Sequence, residues 1–71
     1  MKLKVNGEVR EITTSSSDSP KLANIIEQLG FNPKLVVIEF NGLISPPSKW
    51  KDQTVKEGDT LEIVTIVGGG S

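Results

Sequence analysis

Only one stretch of this chain is patterned as a helix, and strand-like segments lie on both sides of it. In "SPKLANIIEQLG", Leu22, Ile25, Ile26 and Leu29 fall at i, i+3, i+4 and i+7, which makes one apolar stripe. Ser19 can accept from the unpaired N–H groups of a first turn, and Pro20 suits the first helical position, where no N–H is needed. Gly30 supplies a left-handed C-terminal cap. A lone helix with one apolar stripe must bury it against a sheet, because there is no second helix to take it.

The remaining segments supply that sheet. "MKLKVNGEVREIT" reads as a hairpin in which Leu3 and Val5 alternate with Lys2 and Lys4, and Asn6-Gly7 makes the turn because both residues tolerate positive φ. Val9 and Ile12 have opposite parity on the return strand, so a bulge or a longer loop is expected there. "TTSSSDS" is a polar loop. "KLVVIEF" is apolar and β-branched, which predicts a strand buried on both faces, with Asn41-Gly42 as the next turn.

"GLISPPSKW" begins as a short strand and stops at Pro46-Pro47, neither of which can donate to a ladder. Trp50 reads as a packing residue at the rim of the core rather than a binding residue. Gly58 before Asp59 allows a left-handed turn, and Leu61 to Val67 is the strongest β segment present. The order is β-β-α-β-β-β. A parallel pairing of the first and last strands, with the helix lying across the sheet, is the compact solution.

Composition narrows the chemistry. At 71 residues the chain is near the lower limit for a self-sufficient core, which leaves no room for a deep enclosed active site. It has no cysteine, hence no thiolate nucleophile or thiolate metal site. It has no histidine, so the usual neutral-pH acid–base group is missing. The carboxylates lack metal-ligand spacing, so no metal is expected. A net charge of −1 with interspersed signs gives no basic face for nucleic acid. No apolar run approaches a membrane span and the N-terminus is not a signal peptide, so the expectation is a cytoplasmic non-enzyme, monomeric when free.

The chain ends in "IVGGGS", three glycines and a serine directly after the last strand. Such a tail is either a synthetic or frayed end or the working part. With no Cβ it can thread a narrow channel in a partner. Fully extended, Gly68 to Gly70 reach roughly 10 Å, at about 3.3–3.6 Å per residue.

Taken together, Asn6-Gly7, "IIEQLG", "VVIEFNG" with its following proline pair and tryptophan, "EGD" and "LEIVTIVGGG" resemble the ThiS sulfur carriers of thiamin biosynthesis. The resemblance covers essentially residues 1–70 and rests on the order and spacing of motifs that are individually weak. It implies an α+β fold of β-grasp (ubiquitin-like) type, a mixed sheet of about four to five strands packed on one main helix. It divides the chain into a domain over 1–67 and a tail over 68–71.

The same resemblance implies the chemistry. A ThiF-like adenylyltransferase would use ATP to activate the carboxylate of Gly70, and a sulfur donor protein would convert the acyl-adenylate to a thiocarboxylate. A ThiG-like thiazole synthase would then take the sulfur. Gly68 and Gly69 would be the threading residues, and the carrier itself would bind no cofactor. Ser71 departs from the pattern, because while it is attached Gly70 carries an amide. The serine is removed before use, or is an addition, or marks a blocked precursor.

A docking surface could include Leu43 or Ile44, although the scarcity of apolar residues in so short a chain predicts that both complete the core. The rival readings are a MoaD-like small subunit of molybdopterin synthase, with the same fold and a glycine-glycine tail, and a non-conjugating ubiquitin-like interaction module.

Overall fold

The computed structural model describes residues 1–13 and 20–66. Ser19 and the tail residues Val67, Gly68, Gly69, Gly70 and Ser71 lie outside the described residues. The elements run β1 (Lys2–Val5), β2 (Glu8–Glu11), α1 (Leu22–Gln28), β3 (Val36–Phe40), β4 (Leu43–Ser45) and β5 (Thr60–Thr65). Short 3-10 turns occupy Pro33–Leu35 and Pro47–Lys49.

The sheet has five strands in the order β2-β1-β5-β3-β4. β1 and β5 are parallel and every other pair is antiparallel, which is the mixed sheet expected of a β-grasp fold. One face of this sheet carries Leu3, Val5, Val36, Ile38, Leu61 and Ile63, all buried together with Leu22, Ile25 and Ile26 of α1. Each such side chain taken fully from water contributes roughly 1.5–3 kcal/mol. The other face is open.

Asn6 and Asn41 hold the framework together in a way their turn propensity alone does not reveal. Both Asn-Gly pairs have positive φ at both residues (51° and 84° at Asn6-Gly7, 51° and 88° at Asn41-Gly42), as a two-residue type I′ hairpin turn requires. Each asparagine also reaches across to β5. Asn6 accepts from Ile63 N–H at 2.7 Å and donates to Ile63 O at 3.1 Å, in the manner of one more residue of β1. Asn41 accepts from Thr60 N–H at 2.8 Å and donates to Asp59 Oδ1 at 3.2 Å. The central strand is thus bracketed by the two turns.

Three local expectations are corrected. The helix begins at Leu22 rather than at Pro20, with Lys21 as N-cap. Lys21 is pulled into a β-bridge with Thr54, and Val55 N–H donates to Pro20 O at 2.9 Å. The first-turn N–H groups of Leu22 and Ala23 donate to Gln53 O and Trp50 O, so long-range backbone replaces a side-chain cap. The C-terminus is as expected: Gly30 has φ +85°, its N–H donates to Glu27 O, and Phe31 N–H donates to Ile26 O, a Schellman pairing.

Neither a bulge nor a longer loop reconciles Val9 with Ile12. The β1–β2 register is unbroken, Ile12 is buried on the helix side, and Val9 is simply exposed on the open face. β3 is buried on one face only: Val36 and Ile38 are buried, whereas Val37 and Glu39 are exposed. The single helix covers one side of the sheet and no second layer covers the other. No helix among the described residues is long and apolar enough to cross a membrane.

Candidate functional site

β5 is the strand that delivers the chain to its tail. It sits between β1 and β3, and Leu61 and Ile63 anchor it in the core. Just beyond its last residue, Ile66 N–H donates to Leu35 O at 2.6 Å. That bond ties the departure point to the turn preceding β3. Gly68, Gly69 and Gly70 follow in sequence and lie outside the described residues; the described surface nearest them in sequence is the open face at the end of β5.

On that surface the strand register places Glu62, Glu39 and Ile44 side by side in one row of the open face. The next row holds Val64 opposite Val37. All five side chains are exposed. Ile44 is 71% exposed, Val64 64% and Ile66 51%, which makes a contiguous apolar patch rather than scattered single residues.

Neither Leu43 nor Ile44 completes the core, at 75% and 71% exposure. The scarcity argument fails because the helix-side core closes without them; Trp50 and Val55 from the connecting segment fill the end of the sheet instead. Leu43 and Ile44 also do not act together. Leu43 is opposite Phe40 and lies on the helix side, whereas Ile44 is opposite Glu39 and lies on the open face.

A shallow groove of about 480 Å³ continues the patch at its edge. Its lining includes Val37, Ile44, Ile66, Pro46, Pro47 and Trp50. Trp50 is buried and its Nε1–H donates to Ser45 O at 2.8 Å, so it is a packing residue. Trp50→Phe keeps most of the apolar area but leaves the Ser45 carbonyl without this donor. The expected loss is about 1–2 kcal/mol in a urea titration, with the groove retained.

Sequence reasoning missed Glu39, Glu62, Val37 and Val64 as surface residues. The signal lay in the alternation of "VVIEF" and "LEIVT", but only the register shows that the two acids are cross-strand neighbours.

A family model described as the ThiS family matches residues 3–70. The chain is 38% identical over 71 residues to a thiazole synthase of Paramagnetospirillum magneticum, aligning all of itself with 21% of that protein, so it spans about a fifth of that relative's length. It is 34% identical over 55 residues to the uncharacterized protein ycf40 of Trieres chinensis, covering 78% of this chain and 75% of that one. Among solved structures it is similar to the crystal structure of the thiamine biosynthesis protein ThiS from Geobacter metallireducens. That similarity has a TM-score of 0.77 at 30% identity and covers 99% of this chain and 100% of the other.

Proposed function

This chain belongs to the ThiS family, and on that premise we propose that it carries sulfur for thiazole formation as a thiocarboxylate on Gly70. The observation that carries this reading is that the family match runs through residue 70, so it includes the glycine tail as well as the folded body. A free carboxylate is a poor electrophile. Transfer of an adenylyl group from ATP to the Gly70 carboxylate, with release of pyrophosphate, creates a good leaving group. Sulfide-level sulfur then attacks the acyl carbon and expels AMP, leaving the thiocarboxylate; where a donor protein delivers it as a persulfide, the acyl disulfide that forms is cleaved by a thiol reductant, which frees the donor.

Holding that sulfur on a tail raises its effective concentration at the next site and keeps it from escaping as sulfide. The carrier needs no acid, base or metal for any of these steps, because a ThiF-like adenylyltransferase and a ThiG-like thiazole synthase supply them. Gly68 and Gly69 give the tail a cross-section no wider than backbone. β5 sets where it leaves, and the open-face patch around Ile44 is the surface on which such partners rest.

The test is a mass measurement. A chain ending at Gly70, incubated with ATP, a sulfur source and the adenylyltransferase, gains the mass of one oxygen-to-sulfur replacement. The same chain ending at Ser71 does not, since its Gly70 carbonyl is an amide. If neither changes while the adenylyltransferase is demonstrably active on another carrier, the reading is wrong. Co-purification with a molybdopterin-synthase large subunit instead of thiazole synthase would move the chain to the other pathway.

A further inference from the structure

The bond that ends β5 is made one residue past the strand. The ladder with β3 closes at the Val36–Thr65 pair, and Ile66 N–H then donates to Leu35 O at 2.6 Å. β1 no longer accompanies the chain at this point. Its parallel register with β5 covers Thr60 and Leu61, and Asn6 extends that contact as far as Ile63. Among the described residues, the backbone from Val64 to Ile66 is therefore held from the β3 side.

The acceptor of that final bond is fixed by its own turn. Asn32 Oδ1 accepts from Lys34 N–H and Asn32 O accepts from Leu35 N–H, both at 2.9 Å, while the ring of Pro33 sets its own φ. Upstream, the Phe31–Ile26 bond ties the turn to the end of α1; downstream, Val36 is buried in the core. Yet none of Pro33, Lys34 and Leu35 is buried. Packing does not account for so well bonded a turn that adds nothing to the core. What it supplies is a carbonyl held at one place beside β5.

The position of this carbonyl decides where the chain is last gripped. Bonds in an antiparallel ladder recur at every second residue, so the next grip inward from Ile66 is at Val64, opposite Val37. Gripped at Ile66, the arm that ends at Gly70 has four residues, 67 to 70, and a span of roughly 13–14 Å. Gripped at Val64, it has six, 65 to 70, and a span of roughly 20–22 Å.

We infer that the Asn32–Leu35 turn is a positioning element for the carrier's reaction: Leu35 O holds Ile66 and so fixes the root and the length of the arm that presents Gly70, and Asn32 acts through it. This rests on the carrier reading above. Without the grip, the longer arm dilutes Gly70 at its target by about two-fold. The two released residues must also be ordered again each time the arm enters an enzyme, which is the larger effect. Both act after the body has docked, so they lower kcat and leave KM in place.

The test follows pyrophosphate release by the ThiF-like adenylyltransferase acting on chains that end at Gly70. Ile66→Pro removes the donor and is expected to lower kcat about 10-fold, with KM within about two-fold of wild type. Ile66→Ala keeps the N–H and trims the open-face patch, so it is expected to raise KM and keep kcat. Asn32→Ala loosens the acceptor turn and is expected to lower kcat by about 3- to 10-fold. Asn32→Asp, which still accepts from Lys34 N–H, restores it. Asn41→Ala, which removes comparable side-chain bonds at the other end of β3, keeps wild-type kcat. In the isolated protein, the Ile66 amide is expected to exchange with deuterium about 10-fold faster in Asn32→Ala than in wild type, and at the wild-type rate in Asn32→Asp.

An unchanged kcat in Ile66→Pro, or equal kcat losses in Ile66→Pro and Ile66→Ala, overturns the inference; the carrier reading stands as long as wild type acquires the thiocarboxylate. A kcat loss in Asn32→Ala that Asn32→Asp does not restore, or that Asn41→Ala reproduces, gives the turn a purely structural role and overturns the inference as well. Absence of the thiocarboxylate in wild type, with the enzyme active on another carrier, overturns the carrier reading and this inference with it.

Discussion

Alanine at Asn6 is expected to cost about 3 kcal/mol, a large share of the roughly 4–10 kcal/mol available to a chain of this size. Two losses add. The Ile63 N–H and C=O each lose a partner in a partly buried position, at about 1–3 kcal/mol per group before water reaches them. Alanine also tolerates the left-handed backbone less well than asparagine, at φ 51°. Two further variants separate the contributions. Asn6→Gly relieves the backbone strain but not the lost bonds, so it falls between wild type and alanine. Asn6→Asp keeps an acceptor for Ile63 N–H but sets a carboxylate oxygen against Ile63 O. Asn41→Ala, whose partners are exposed, is expected to cost about 1–2 kcal/mol because water replaces them. Urea midpoints with an unchanged slope would measure the series. Equal losses at Asn6 and Asn41 would show that the turn conformation, and not the bracketing of β5, is what the asparagines supply.

Leu61→Ala is expected to be the most damaging truncation in the core, at about 2–5 kcal/mol. Leu61 is fully buried in the central strand, aligned with Val5 on β1 and opposite Phe40 on β3. Its removal opens a void that the flanking strands cannot close without giving up their register. Val64→Ala, three residues along the same strand but on the open face, should stay within about 0.5 kcal/mol. Thermal melts would resolve the contrast easily, since each kcal/mol shifts Tm by about 4–8 °C in a domain this small. A large effect at Val64 would mean that the open face is covered in the isolated protein.

The helix stripe and the two Asn-Gly turns were legible because they depend on spacing within a few residues. The parallel β1–β5 pair follows from packing one sheet on a single helix, whereas the order β2-β1-β5-β3-β4 is not legible in local pattern. What local pattern could not give was anything set by a distant segment. The start of α1 is decided by Gln53, Thr54 and Val55, about thirty residues away in sequence. "VVIEF" looked buried on both sides because its composition is apolar, yet one helix can cover only one face. Val9 suggests a bulge that the unbroken register does not contain, because in sequence an exposed edge-strand valine is indistinguishable from a core one. The tail rests on its glycines and the resemblance alone, since it lies outside the described residues, and the acidic pair on the open face is not visible in local sequence. Glu39 and Glu62 are 23 positions apart in "VVIEF" and "LEIVT", and only pairing makes them neighbours.

The position of β5 also has a mechanical consequence. The tail follows β5, which pairs antiparallel with β3 from Leu61 to Thr65 and parallel with β1 at Thr60 and Leu61. A pull on the tail along the axis of β5 therefore loads both ladders in shear, with the Asn6 and Asn41 bonds sharing the force, instead of peeling one bond at a time. On the proposed role, a partner that pulls on the tail does so without unravelling the body of the carrier. On the proposed role, the segment a partner grips and the strand that must not yield are one continuous piece of backbone.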